Sequence, residues 1–561
     1  MKMTAADSLM KILEEQGVEV IFGYPGGAVL PLYDAILKND RIQHVLVRNE
    51  QAAPHAASGY ARVKGIPGVC LATSGPGATN LVTGLATAYM DSVPVVAITG
   101  QVSTPMIGTD AFQEVDITGI TMPITKHNYL VKHAQDLPRI VNEAFHVAST
   151  GRPGPVLIDI PRDVAEEMIE HEENFVVNIK GYKPKYKGHN SQIKKVAKAI
   201  EHAKAPVILA GGGMQYAGAT EELRTLVDLI DAPVVTTLNA IGVYPESEKK
   251  ALGLLGMHGR PAANYAISHC DLLISLGARF GDRATGSVKK FAKDAIIVHI
   301  DIDPAEIGKN VRVDIPIVGD LKIILKDLTK VTEQQRHPDW LKRVADWKDA
   351  HPMRDQYGNG SNLKPQKILS LLGDLTRHHA LVTADVGQHQ IWAALHYDFD
   401  NNQSWITSGG LGTMGYGFPA AIGAQMAARD KLVLCVTGDG SFQMSMAEMA
   451  TALEQDLPIK IILMNNSSLS LVKQLQHFQC EQRYCGIDFT RNPDFCKLAE
   501  AYGVSAVRID SDENLESRLK EALETEGLVL IECMVSDKEM VYPFVPGASG
   551  LDEMVKFTES E

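Results

Sequence analysis

Short runs of apolar, largely β-branched residues, each followed by a helical pattern, recur along the whole chain; GVEVIFGYP, VPVVAITG, APVILAGGG, CDLLISLGA, AIIVHIDID, HALVTADVG, KLVLCVTGDG, IKIILMNN and LVLIECMV are examples. The runs are continuous rather than alternating, as in strands buried on both faces of a parallel sheet. Repeated strand–helix–strand order predicts doubly wound parallel α/β sheets. At roughly 150 residues per domain, 561 residues allow for several. Charged stretches containing Pro and Gly interrupt the alternation at 166–189 and 331–364 and read as linkers. They divide the chain into three α/β domains, 1–165, 190–330 and 365–540, with a tail over 541–561.

The chain carries 54 Lys+Arg against 68 Asp+Glu, a net charge of −14. That acidity argues against nucleic acid and anionic membrane surfaces as partners. An anionic ligand then needs a local device: a helix N-terminus, a glycine loop or a bound cation. The 7 cysteines are scattered, without a CxxC pair, and read as reduced thiols of a cytoplasmic protein. The opening MKMTAADSLMKILEEQGVEVIF lacks a signal-peptide apolar region and reads as an amphipathic helix leading into a strand. The uncharged stretches 65–90 and 401–428 are too rich in Gly, Pro, Ser, Thr and Asn to span a membrane. They predict backbone packed tightly around something buried.

The most informative pattern is GDGSFQMSMAEMATALEQDLPIKIILMNN. A strand ends at Gly438-Asp439-Gly440, a helix is predicted from about Phe442 to Pro458, and the next strand stops at Asn465-Asn466. In a right-handed crossover the two strands run side by side in one direction, so Asp439 and Asn466 emerge at the same carboxyl edge. A carboxylate, an amide oxygen and a nearby loop carbonyl suit Mg²⁺, a hard cation that is often shared with phosphates. Gly440 lets a diphosphate approach the backbone, and the helix N-terminus adds donors. A second glycine loop, Gly410-x-Gly412-x-x-Gly415, joins a strand to a helix. On its own it is a weak dinucleotide fingerprint, which leaves a nicotinamide-dependent dehydrogenase as an alternative.

GDG…NN resembles the signature of thiamine-diphosphate enzymes, and the chain as a whole resembles the large catalytic subunits of the acetohydroxyacid (acetolactate) synthase family. The motifs that carry the likeness include FGYPGGAVLPLYDA, LVRNEQAAPHAASGYAR, TSGPGATN, GTDAFQEVD, GRPGPVLIDIPRDV, LGMHG, GARFGDR, HIDIDPAEIGKN, DVGQHQIWAA and SGGLGTMGYGFPAAIGA. The resemblance implies that Glu50 hydrogen-bonds the cofactor aminopyrimidine and relays a proton, a general acid–base role. Pro76 and Asn80 frame the pyrimidine. Gly27, Phe112 and Gln113 lie near the reacting carbon. Met414 props the cofactor into a bent shape, with Gly412 in the same loop. The diphosphate end falls to Val386, Gly387, Gln388, His389, Gly438, Asp439, Gly440, Ser441, Asn466, Ser468, Leu469, Ser470 and Leu471, and Mg²⁺ to Asp439, Asn466 and Ser468.

In the middle block, strand-end acids after a glycine loop suit ribose hydroxyls, and arginines suit a diphosphate. The resemblance implies FAD there, held by Arg152, Gly211, Gly212, Gly213, Thr237, Leu238, Met257, His258, Gly277, Arg279, Asp282, Arg283, Asp301, Asp303 and Asp320. Arg162 and Leu475 are the implied substrate contacts.

The implied reaction decarboxylates pyruvate and transfers its two-carbon unit to a second 2-keto acid, pyruvate or 2-ketobutyrate. The product, 2-acetolactate, starts branched-chain amino-acid synthesis. The resemblance further implies a homodimer or homotetramer with sites between chains, and a possible small regulatory subunit. Departures from the family pattern gather near the acceptor: Asn49, Pro54, Gly281, Ser470, Leu471 and Leu475. They bear on the acceptor pocket rather than on the cofactor residues; a pyruvate oxidase and a glyoxylate carboligase are the alternatives within the superfamily, and Glu50 weighs against the second.

Overall fold

The computed structural model describes residues 1–171, 175–353 and 363–556. Three six-stranded sheets form, and every strand pair within them is parallel. The first sheet runs, in spatial order, through Gln43–Leu46, Val20–Gly23, Gly68–Ala72, Val95–Gln101, Val156–Pro161 and His127–Leu130. The third runs through Trp405–Thr407, Leu381–Ala384, Val433–Gly438, Lys460–Asn465, Val529–Met534 and Ser505–Ile509. Counted along the chain, the two share the strand order 2-1-3-4-6-5. The central sheet runs through Ala251–Leu254, Val234–Thr236, Pro206–Ala210, Leu272–Leu276, Ile296–Asp301 and Ile315–Val318. Its order is 3-2-1-4-5-6, that of doubly wound dinucleotide-binding sheets.

The glycine- and alanine-rich stretches bind the first and third sheets together. The helices Ala52–Lys64 and Gly417–Ala427 cross with their backbones in contact. A Cβ at Gly59 would lie 2.1 Å from the Ala420 carbonyl oxygen, and one at Gly423 1.8 Å from that of Ala56. Only glycine allows this approach, so the uncharged composition of 401–428 serves a protein–protein contact inside the chain. One hydrophobic core spans both sheets, with Phe22, Tyr60, Tyr416, Phe418 and Phe442 among its members.

The two linkers, the tail and the helix after Asp439 carry more structure than the sequence predicts. The stretch 331–364 carries a helix, Pro338–Ala350, whose Trp340 and Val344 are buried against the central domain; its residues 354–362 lie outside the described residues. In the other predicted linker, Met168–Glu170 pairs antiparallel with Lys2–Thr4, and residues 172–174 lie outside the description. The tail returns to the central domain: Val545, Leu551 and Met554 are buried in its core, and residues 557–561 are outside the described residues. The helix expected from Phe442 to Pro458 instead begins at Asp439 and breaks after Gln443; a 3-10 turn, Met446–Glu448, precedes the helix Met449–Glu454. The bend turns the Glu448 carboxylate to the backbone N–H groups of Arg48 and Asn49, a long-range contact that outweighs helical continuity. Among the described residues no helix is long and apolar enough to cross a membrane.

Candidate active site and cofactor cavity

The first group of site residues gathers at the carboxyl edge of the first sheet. Glu50 follows the strand Gln43–Leu46, and its Oε2 accepts from Asn80 Nδ2 at 2.9 Å. Its other oxygen lies 3.4 Å from where a Cβ on Gly77 would stand, which makes Gly77 the close backbone approach. Pro76 opens the short helix Pro76–Asn80. Gly75, with φ +56°, packs against Gln113, which itself has φ +60°. Glu114 fastens this loop by accepting from the backbone N–H groups of Gly108 and Ala111. Gly27 faces open space, and Phe112 is 88% exposed. Glu50, Asn80, Gln113 and Gly27 are therefore brought to one edge, beside an apolar residue with nothing covering it in the chain.

The second group lies at the carboxyl edge of the third sheet. Asp439 follows the strand Val433–Gly438 and is buried; its Oδ2 accepts from Asn492 Nδ2 at 2.6 Å. Burial pushes its carboxyl above the ordinary range, against the hydrogen bond from Asn492. Asn465, the last strand residue, donates to Glu532 at 2.7 Å, and Asn466 leads into the loop. Ser441 Oγ donates to the Val386 carbonyl at 3.1 Å. His389 packs against Gly387 and Gly438; burial holds its imidazole neutral, with the pKa lowered to about 3. Leu469 packs over Gly440. The Ser468 hydroxyl and His389 Nε2 are buried with no partner among the described residues. An oxygen-rich set with a buried carboxylate short of positive charge fits a divalent cation, and Gly440 and the partnerless donors fit a phosphate bound to it.

The 409–415 loop runs alongside. Asp385 accepts from the backbone N–H groups of Gly415 at 2.9 Å and Gly417 at 3.1 Å. Burial raises its carboxyl to about 6, opposed by these donors. Met414 sits in the loop they hold. Gln388, by contrast, donates to Gln474 and to the Glu539 carbonyl, within the third domain. Ser470 donates to the Ser468 carbonyl and opens the helix Ser470–Gln479.

The third group lines a cavity of about 820 Å³ over the switch point of the central sheet. Gly212, Gly213, Thr237, Leu238, Met257, His258, Gly277 and Arg279 line it. So do Asp282, Arg283, Asp301, Asp320 and, from the first domain, Arg152. Gly211 is packed on the Gly277 backbone beneath, where a Cβ would lie 2.2 Å from a carbonyl. Asp303 pairs with Arg152 at 3.3 Å, and Glu306 is the closer partner at 2.7 Å. Asp320 caps the helix Leu321–Val331. Burial pushes the Arg279 guanidinium below its ordinary value, with Arg152 adding repulsion. Buried amide atoms of Gln215 and Asn239, both lining residues, have no partner among the described residues. A cavity at the switch point with arginines for a diphosphate, strand-end acids for ribose hydroxyls and glycines under it fits a dinucleotide.

The far end of that cavity reaches the second group: Val386, Gly412, Leu471 and Leu475 line it too. Arg162 stands apart, exposed and paired with Glu166 at 3.0 Å. Residues that the sequence did not single out include Asn492, Asp385, Glu448, Asp91 and Asn239. Each acts through a contact far away in sequence, and DVG, the start of the 385–394 motif, was the only local hint.

Comparison with known proteins bears on the same three regions. Residues 3–120 match the thiamine pyrophosphate enzyme N-terminal TPP binding domain, 193–328 the central domain, and 385–533 the C-terminal TPP binding domain. Fold and matches together define a three-domain thiamine pyrophosphate enzyme. Among its relatives, a protein of Methanocaldococcus jannaschii named "Probable acetolactate synthase large subunit" is 48% identical over 99% of this chain and 95% of its own. "Acetolactate synthase" of Mycobacterium bovis is 46% identical over 99% and 91%, and "Acetolactate synthase isozyme 3 large subunit" of Escherichia coli 44% identical over 98% of each. The chain belongs to the acetolactate synthase large-subunit family.

Proposed function

We propose that this chain is the catalytic subunit of an acetolactate synthase, joining the two-carbon part of pyruvate to a second 2-keto acid. The observation that carries the reading is the pairing of two carboxyl-edge sets, Glu50 with Asn80 and Gln113, and Asp439 with the Gly438–Ser441 turn. When bound, thiamine diphosphate supplies an acidic thiazolium carbon that accepts the electrons left as CO₂ departs. Asp439, Asn466 and the Ser468 loop hold Mg²⁺ and, through it, the diphosphate. Glu50 takes up and returns a proton at its carboxylate, and Gln113 donates to a substrate carbonyl oxygen. Met414 and its loop set the reacting ends close together, a proximity effect. Arg152, Arg279 and Arg283 would hold the phosphates of FAD in the central cavity.

No hydrogen bond joins the Glu50 set to the Asp439 set among the described residues. Beside the Glu50 set, Phe112, Met122 and Leu30 stand 88%, 67% and 52% exposed. An uncovered apolar face next to half a site fits a second copy of the chain, so the working unit is a homodimer or a larger homo-oligomer. Relatives named large subunits support a separate small subunit as a further partner. The free cysteines fit a reducing, cytoplasmic setting.

Product analysis tests the reading. With pyruvate, thiamine diphosphate, Mg²⁺ and FAD the expected product is 2-acetolactate, joined by acetohydroxybutyrate when 2-ketobutyrate is added. Oxygen consumption with release of acetate or acetyl phosphate overturns it in favour of a pyruvate oxidase. NAD(P)-dependent absorbance change overturns it in favour of a dehydrogenase.

A further inference from the structure

Three domains meet at one carboxylate. Asp91 closes the helix Val82–Met90, and its side chain is fully buried. Its Oδ2 accepts from the backbone N–H of Gly409 at 3.1 Å and from Arg62 Nη2 at 3.2 Å. Its Oδ1 accepts from Asn239 Nδ2 at 2.8 Å, and its carbonyl from the Tyr216 hydroxyl at 3.4 Å. Arg62 Nη2 also donates to the Thr407 carbonyl, 3.2 Å away, where the strand before the loop ends. A first-domain residue thus fastens the head of the 409–415 loop of the third domain to Asn239 and Tyr216 of the central domain.

The loop is gripped along its length. One turn back on the Asp91 helix, Thr87 Oγ1 lies 2.7 Å from Thr413 Oγ1. Asp385 holds the far end through Gly415 and Gly417. Met414 lies between these anchors. Two glycines at the head are forced by the junction: a Cβ at Gly409 would lie 2.4 Å from Asn239 Oδ1, and one at Gly410 2.9 Å from Asp91 Oδ1.

The same residues wall the central cavity: Arg62, Asp91, Tyr216, Asn239 and Gly409 all line it. Ser92, the next residue, accepts from Arg152 Nε at 2.8 Å. Asn239 spends its amide nitrogen on Asp91, while its oxygen is buried without a partner.

We infer that Asp91 is a positioning residue that couples occupancy of the flavin cavity to the order of the thiamine-binding loop. The inference rests on the reading of that cavity and loop given above. A ligand that fixes Asn239 and Tyr216 removes part of the entropy cost of ordering the loop through Asp91, and the loop's ligand does the reverse. Such coupling is reciprocal between two binding equilibria. Removing one partner from a buried charge network is costly, because it leaves the others uncompensated.

The test is a set of dissociation constants on the full-length protein with Mg²⁺. FAD is followed by flavin fluorescence and thiamine diphosphate by calorimetry, each with and without saturating amounts of the other. In the unmodified protein each cofactor should tighten the other by the same factor, roughly fivefold or more. Asp91→Asn keeps the shape but turns an NH₂ toward donors, so the factor should fall to near one while each cofactor still binds alone. Asn239→Ala leaves the Arg62–Asp91 pair whole and should lower the factor part-way; it carries the test if Asp91→Asn does not fold. Variants that keep the unmodified factor overturn the inference. An unmodified protein that binds both cofactors with a factor of one overturns the coupling alone, and one that binds no FAD overturns the cavity reading with it.

Discussion

Glu448 Oε1 accepts from the backbone N–H of Arg48 at 2.9 Å and from that of Asn49 at 3.1 Å, so a residue of the third domain fixes the strand end that delivers Glu50. Its Oε2 accepts from Thr451 at 2.7 Å, and the whole group is buried. Within one chain the third domain therefore positions Glu50 from behind without offering it the Asp439 set.

Glu50→Gln and Glu448→Ala should separate chemistry from position. Gln at 50 can still pair with Asn80 but cannot take up a proton, so turnover should fall by roughly 10²–10⁴-fold with the fold and cofactor affinity kept. Ala at 448 leaves the part-buried N–H groups of Arg48 and Asn49 without their acceptor and should cost about 1 kcal/mol of stability. Its loss of turnover should be smaller, and Glu448→Gln should recover most of it. Steady-state rates and thermal midpoints decide. Full turnover of the Glu50→Gln variant removes Glu50 from the proton relay.

Asp439→Ala should abolish retention of thiamine diphosphate. The Asp439 carboxyl is buried at the sheet edge, and burial pushes it above its ordinary range. EDTA should mimic the substitution in the unmodified protein, and excess Mg²⁺ should restore that protein but not the variant. Equal cofactor affinity in calorimetry with and without the carboxylate sinks the metal assignment.

Legibility in the sequence followed the range of the interactions. The parallel sheets were readable because strands buried on both faces leave continuous apolar runs, and Asp439 because a strand–turn–helix fixes its own edge. The helix after it was misjudged in outline. Its apolar pattern is helical throughout, but the Glu448 contact across some four hundred residues bends it, and local periodicity carries no trace of that. Asn492, at hydrogen-bonding distance from Asp439, comes from a loop whose residues, TRNPD, read only as a turn. Asp91 and Asn239 look equally ordinary until three domains are folded together.

Arg152→Ala and Arg283→Ala should weaken FAD binding unequally. Arg152 is half-buried between Glu306 and Asp303 and donates to Ser92, so its loss disturbs both the cavity wall and a domain contact. Arg283 is 70% exposed and paired only loosely with Asp282 at 3.4 Å. The first variant should release yellow flavin on gel filtration, whereas the second should lose it only on prolonged dilution. Equal retention by both, matching the unmodified protein, removes these arginines from the flavin site.

His55 gives the fold an acid-sensitive element. It is fully buried, edge-on to Tyr416 at 5.2 Å, and burial lowers its pKa to about 4. The unfolded chain takes up a proton at this residue below about 6.5, while the folded chain does not until about 4. Stability therefore falls as pH drops through that window, by about 1.4 kcal/mol per pH unit for this one group. Buried carboxyls such as Asp385 and Asp159, raised to about 6 and about 7, act in the opposite sense. The comparison of His55→Phe with the unmodified protein isolates the histidine. Phe keeps the edge contact and cannot titrate, so the drop in unfolding midpoint between pH 7 and pH 5 should be smaller in the variant. An unchanged drop shows that His55 does not stay neutral in the folded protein.

Leu475 concerns the choice of second substrate. It sits on the helix Ser470–Gln479, half-buried, and lines the end of the cavity shared with Leu471, Val386 and Gly412. The family resemblance places a Trp at this position in members that prefer 2-ketobutyrate, where a flat apolar face can pack on the extra methyl group. Leu offers less such area. One methylene in an apolar pocket is worth about 1–3 kcal/mol, or roughly 10–200-fold in selectivity. Losing much of that contact should bring the preference close to unity, so equal concentrations of the two acids should yield comparable amounts of acetolactate and acetohydroxybutyrate. Leu475→Trp should move the product ratio toward acetohydroxybutyrate. Mass spectrometry of the two products in competition measures the ratio directly. A strong preference for 2-ketobutyrate in the unmodified protein would assign recognition of the methyl group to another side chain, with Leu471, one helical turn away on the same wall, the next to substitute.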